Sequence, residues 1–177
     1  MALFTRTLLD PFGADRPALA RARYGMIEMR DGRLAAIHAR PWPKVISAWE
    51  VEWRGERRHR STPGDRCLIY YNQPRRHANF LALPYVVSQR DCTLATFHRG
   101  LEVLDAVAQL KHVDAIVCDA WNLRISDRLL ARWGWQSHKP QRWHRNFIKR
   151  FYGVYPAQRG ELLHGCPAAS ASAAVLA

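Results

Sequence analysis

Apolar residues recur along this chain with two different periods, and the change from one to the other falls near residue 90. Before it, short apolar blocks and alternating runs follow the spacing of strands. Residues 24–29 and 34–38 flank Arg30-Asp31-Gly32-Arg33, and Asp-Gly between two strand-like runs predicts a hairpin. A short helix is expected over 14–22, once Pro11-Phe12-Gly13 has broken any earlier one. Residues 45–53 predict a strand whose tail puts Trp49, Val51 and Trp53 on one face and Glu50 and Glu52 on the other. A polar turn over 58–65 leads to a strand at 67–71. The basic stretch Pro74-Arg75-Arg76-His77 then leads to a strand at 81–88. Pro84 inside that run predicts a bulge or a break in pairing, because proline brings no N–H to a ladder.

Past residue 90 the period becomes helical. Phe97, Leu101, Leu104 and Ala108 share one side of a helix over 96–113, with Val103, Val107 and Leu110 widening its apolar face. Thr96 is placed to cap it. Residues 114–119 are a short continuous apolar run, the kind buried on both faces of a sheet. A second helix is expected after Asn122 as cap, with Ile125, Leu129, Leu130 and Trp133 inward and Gly134 ending it. A last strand spans 143–152, with Trp143, Phe147 and Phe151 on one face. Strands that alternate with helices imply a partly parallel sheet with helices on its faces, whereas the first half reads as antiparallel strands. The expected fold class is therefore a mixed α/β sheet, with one domain over 1–153. The pattern decays after Tyr152, and 154–177, Ala- and Ser-rich from Gly165 onward, reads as a disordered tail.

With 177 residues, 48% of them hydrophobic and 11% aromatic, the chain has enough apolar surface for a real core, which excludes global disorder. No apolar run approaches the roughly 20 residues that cross a bilayer, and the first residues lack the pattern of a secretory signal, so no membrane partner is expected. Cys67, Cys92, Cys118 and Cys166 show no C-x-x-C spacing and the histidines complete no zinc signature; no metal is expected, and a reducing cytoplasm suits the thiols. A net charge of +12 favours polyanionic partners such as phosphorylated cofactors or nucleic acid, although a generally basic surface accounts for it equally well. Residues 133–152 interleave aromatics with Arg, Lys and His, the composition of a single-strand nucleic-acid binder. The same aromatics supply the apolar faces the last strands need, and core packing is the preferred reading. Docking of an acidic protein by a non-catalytic domain is a third reading.

Two segments carry a resemblance. Arg90-Asp91-Cys92-Thr93-Leu94-Ala95 follows the strand at 81–88, and Asn122-Leu123-Arg124-Ile125-Ser126-Asp127-Arg128-Leu129-Leu130-Ala131-Arg132-Trp133-Gly134-Trp135 spans the second helix. In this order of elements, residues 81–152 resemble the acetyl-CoA-binding half of GNAT-type N-acyltransferases. The first segment is similar to the family loop Q/R-x-x-G-x-G/A at Arg90 and Ala95, with Thr93 where the first glycine stands. The second is similar to N-x-R-x-x-x-L-Y-x-x-x-G-F. Its Asn122 lies one residue further from the glycine, and Leu130 stands where many members carry the tyrosine that protonates the departing thiolate.

The resemblance implies a GNAT-like fold, acetyl-CoA or a related acyl-CoA as co-substrate, and an amine acceptor of unknown identity that attacks the thioester directly. It implies that the backbone at 85–87, with Val86 and Val87, contacts the reacting carbonyl. It also implies that Arg90, Thr93 and Ala95 meet the diphosphate and that Asn122 faces the cofactor arm. The loop also has a physical rationale, since a helix N-terminus presents unpaired N–H groups and partial positive charge to a phosphate. His98 and Arg99, expected in the first helical turn, join Arg90 as a candidate phosphate cluster; a solvated basic helix start is the competing reading. Candidate bases are Asp119 at the carboxyl end of its strand and Glu50 or Glu52, and Tyr85 is the candidate acid. Each has a structural alternative: capping for Asp119 and Asn122, packing for Tyr85. A catalytically degenerate domain of the same shape is the alternative to an active enzyme.

Overall fold

The computed structural model describes residues 5–43, 64–120, 125–139 and 144–156. The strand expected over 45–53, with Glu50 and Glu52, lies outside the described residues, as do Asn122, Trp143 and the expected tail beyond 156. The elements are β1 (Arg6–Leu8), α1 (Arg16–Arg21), β2 (Tyr24–Arg30), β3 (Arg33–Arg40), β4 (Arg66–Asn72) and β5 (Phe80–Ser88). They continue with α2 (Leu94–Leu110), β6 (Ala115–Asp119), α3 (Asp127–Arg132), β7 (Gln136–Ser137) and β8 (Asn146–Arg150). Among the described residues the strands form one mixed sheet in the order β1-β3-β2-β4-β5-β6-β8-β7. The pair β5–β6 is parallel and the other neighbours are antiparallel. The mixed α/β class read from the sequence is the class observed.

The hairpin of β2 and β3 turns at Asp31 and Gly32, both at positive φ (47° and 70°), the two-residue turn that matches the right-handed twist of strands. β1 pairs with β3 from Arg6↔Ala39 to Leu8↔Ile37; three residues are too few to show a period, and the pattern did not predict it. Helix α2 lies against β2, β3 and β4. Its contact with the sheet is close at Gly100, where a Cβ would stand 2.5 Å from Ile69 Cδ1 and 3.1 Å from Met29 Cγ. Leu101, Val103, Leu104, Val107 and Ala108 are buried on its inner side. Asp105 on the same helix meets Lys149 of β8 at 2.6 Å.

Two helix starts differ from expectation. Helix α2 begins at Leu94, because Thr93 is extended (φ −77°, ψ 152°) and its hydroxyl accepts from the Thr96 N–H at 3.1 Å. Thr96, the expected cap, is fully buried inside the first turn. Helix α3 begins after Ser126, whose Oγ accepts from the Leu129 N–H at 3.2 Å, so it is shorter than a helix starting at Asn122. Its end is as expected: Gly134, at φ +84°, donates its N–H to Ala131. Trp135, Phe147 and Phe151 are buried, so these aromatics of the 133–152 segment serve the core. No helix among the described residues is long and apolar enough to cross a membrane.

Candidate functional site

The sheet changes character along β5. Its parallel ladder with β6 runs from Phe80↔Ala115 to Leu83↔Cys118 and stops there. Its antiparallel ladder with β4 continues to Ser88↔Cys67. Between the pairs Tyr70↔Tyr85 and Asn72↔Ala82, β5 spends one more residue than β4, a bulge that falls at Leu83 and Pro84. Proline cannot donate to the ladder, so the bulge sits where the sequence placed it. Beyond it β5 follows β4, while β6 ends at Asp119 paired with Asn146 of β8. The two parallel strands therefore part just past Leu83 and Cys118. Tyr85, Val86 and Val87, half-buried, lie on the parted stretch. Amides of successive strand residues point to opposite edges, so one of Val86 and Val87 directs its N–H away from β4.

The turn that follows, from Gln89 to Thr93, is clasped by the residues leading into β4. Asp65 Oδ1 accepts from the Thr93 N–H at 2.9 Å, and Asp65 Oδ2 accepts from the hydroxyls of Thr93 at 3.1 Å and Thr96 at 2.5 Å. The Gly64 N–H donates to Asp91 Oδ2 at 3.2 Å, and the Gln89 N–H to the Arg66 carbonyl at 3.0 Å. Burial pushes the Asp65 carboxyl up, but the bonds from Thr96, the Thr93 amide and the Thr93 hydroxyl outweigh it and hold it below the usual range. A carboxylate of the chain thus occupies part of the helix start that the resemblance assigns to a diphosphate. Thr93, Leu94 and Ala95 remain exposed at that start, and so does Arg90.

His98 and Arg99 are corrected from the first turn to the second, because the helix begins two residues earlier than expected. Arg99 donates to the Gly32 carbonyl at 2.9 Å, which commits it to the β2–β3 turn. The His98 ring lies 4.6 Å from the Trp133 ring. Adjacent side chains of a helix point in different directions, and here Arg99 reaches the β2–β3 turn while His98 packs beside Trp133.

Asp119, at the carboxyl end of β6, sits where the strands part. Its Oδ2 is 2.6 Å from His144 Nδ1, and its Oδ1 accepts from the Arg145 N–H at 3.1 Å. It caps no described helix. Arg145 donates through Nη2 to the Ile125 carbonyl at 2.9 Å and to Asp127, so the segment before β8 is pinned to the ends of β6 and α3. A neutral imidazole that donates its Nδ1–H to a carboxylate presents Nε2 as its acceptor. The His144 side chain is 43% exposed. His144 is the site residue that sequence reasoning missed. It lies 25 positions from Asp119 inside a run that reads as strand, and no local spacing couples the two.

A second polar cluster lies across the sheet. Glu28, 5% exposed, accepts from Arg30 Nε at 2.7 Å and Arg66 Nη2 at 2.9 Å and meets His38 Nε2 at 3.0 Å. Burial raises this carboxyl, yet His38, Arg30 and Arg66 together hold it below its usual range. Every oxygen has a partner, which marks the cluster as a structural tie between β2, β3 and β4. Among the described residues no group of three or more His, Cys, Asp or Glu could hold a metal ion. No family model, curated protein or solved structure matches the chain.

Proposed function

We propose that the chain is a GNAT-like acyltransferase domain that binds acetyl-CoA or a related acyl-CoA and passes the acyl group to an amine. One observation carries this reading: the parallel pair β5–β6 parts directly after a proline bulge, and the strand that bends away leads into the turn that starts α2. The thioester lies between the parted strands, its carbonyl oxygen meeting the backbone N–H of Val86 or Val87. Arg90, Thr93 and Ala95 face the diphosphate. His144, held by Asp119, takes the proton from the attacking amine through Nε2. Tyr85 is the acid for the thiolate; Leu130, where the family tyrosine would stand, is buried in the core.

Asp65 favours a second reading, a domain of the same shape that has replaced the diphosphate with its own carboxylate and no longer runs the reaction. Isothermal titration with coenzyme A separates the two, using the wild type, Arg90→Ala and Asp65→Asn. The enzyme reading expects heat with the wild type and weaker binding with Arg90→Ala. Binding gained only on Asp65→Asn supports the second reading. Silence in the wild type and both variants, each checked as folded by circular dichroism, retires both the cofactor and the transfer.

A further inference from the structure

We infer that Thr7 is a nucleophilic site: its hydroxyl, activated by His38 and Glu28, takes the acyl group of an activated carboxylic ester. Three neighbouring strands, β1, β3 and β2, each bring one residue to the same face of the sheet. Thr7 of β1 stands directly opposite His38 of β3, which puts the two side chains on one side of the ladder. Glu28 of β2 pairs with Ala36, the next residue of β3 on that face, so it reaches the imidazole on the diagonal. The Thr7 hydroxyl is 3.1 Å from His38 Nδ1, and His38 Nε2 is 3.0 Å from Glu28 Oε2. A hydroxyl, an imidazole and a carboxylate thus form one hydrogen-bonded chain, the arrangement in which an oriented base draws the proton from a nucleophilic oxygen.

Exposure rises along that chain in the order the chemistry needs. The Glu28 side chain is 7% exposed and that of His38 19%, while Thr7 is open to solvent. Arg30 and Arg66 meet Glu28 Oε1 at 2.6 and 2.9 Å and keep the carboxylate charged, which leaves Oε2 to the ring. A charged carboxylate only accepts, so Nε2 carries the ring proton, and Nδ1 of the neutral imidazole accepts from the Thr7 hydroxyl. His38 is therefore the base, and Glu28 is a positioning residue that fixes its tautomer. Among the described residues β1 is the last strand of the sheet, and alternate amides of such a strand point away from its neighbour. One of them, at Thr7 or the residue beside it, offers a donor to the developing oxyanion. In the step itself, Thr7 Oγ bonds to the carbonyl carbon and its proton passes to His38 Nδ1. The tetrahedral intermediate then collapses and the bond from carbon to the leaving oxygen breaks. Acyl-Thr7 and the leaving-group anion result, and His38 gives its proton back to solvent.

The step needs no coenzyme A, so it stands or falls apart from the proposed transfer. The full chain is incubated with p-nitrophenyl acetate, and acid-quenched samples are mapped by peptide mass spectrometry. The expected product carries an acetyl group on Thr7. Thr7→Val, of nearly the same shape and equally suited to a strand, abolishes labelling at that position, whereas Thr7→Ser retains it. His38→Gln slows acetylation of Thr7 by about 100-fold or more. Long-range proton–nitrogen correlation spectra of the nitrogen-15-labelled chain, at a pH where the ring is neutral, should show His38 protonated on Nε2 with Nδ1 bare. Glu28→Gln should weaken that preference. If either buried-side variant misfolds, the wild-type label and the wild-type tautomer decide. Acetyl groups confined to lysines or other residues overturn the inference. So does a His38 ring protonated on Nδ1, or a rate of Thr7 acetylation that folded His38→Gln leaves unchanged.

Discussion

Asp105 and Lys149 join α2 to β8 by a buried ion pair whose pH response has a definite sign. The Asp105 side chain is 4% exposed and its Oδ1 has no hydrogen-bond partner. Burial pushes its carboxyl from 3.8 up to about 6, against the charge and hydrogen bond of Lys149 and with some help from Glu102. Moving a carboxyl that far corresponds to about 3 kcal/mol. The native state keeps its proton above the pH at which the unfolded chain has lost it. Stability from this group is therefore present at low pH and is lost as pH rises through about 6. Asp105→Asn has no proton to lose at this position. The stability of the wild type relative to the variant should then fall by about 2 kcal/mol between pH 4 and pH 7. Urea unfolding of both proteins at several pH values and constant ionic strength measures the difference. A difference that stays flat, or grows with pH, would refute the claim that burial wins over the ion pair here.

Gly100→Ala should destabilise by about 1–3 kcal/mol, read as a lowered Tm, because the new methyl meets Ile69 and Met29. An unchanged Tm would mean that α2 does not lie flush on the sheet. Thr93→Ala should cost about 1 kcal/mol through the lost helix cap, with Thr93→Ser close to wild type in the same urea assay. If acyl transfer is detected, His144→Gln should lower kcat by about 100-fold or more and leave coenzyme A affinity unchanged. An undiminished kcat would remove the Asp119–His144 pair from the chemistry.

The strands at 24–29, 34–38 and 67–71 were legible because each is a local apolar run bounded by turn residues, and the Asp31-Gly32 turn because its backbone demands those residue types. Pro84 announced its bulge for a similarly local reason, a missing donor. The helix starts were less legible. Thr93 and Thr96 are both competent caps, and the choice fell to Thr93 because Asp65, 28 residues upstream, binds both hydroxyls and the Thr93 amide. Similarly, Ser126 rather than Asn122 caps the helix that Arg145 ties at its start.

Periodicity, turn chemistry and the order of elements were properties of short stretches, and the chain alone carried them: mixed α/β character, the hairpin, the bulge and the glycine that ends α3. Partnership was not such a property. That Asp119 meets His144, that Arg99 serves a distant turn and that a carboxylate sits at the start of α2 depended on folding distant segments against one another. Side-chain partners are chosen by three-dimensional proximity and by the need to satisfy buried polar groups, and neither leaves a spacing that one chain can display.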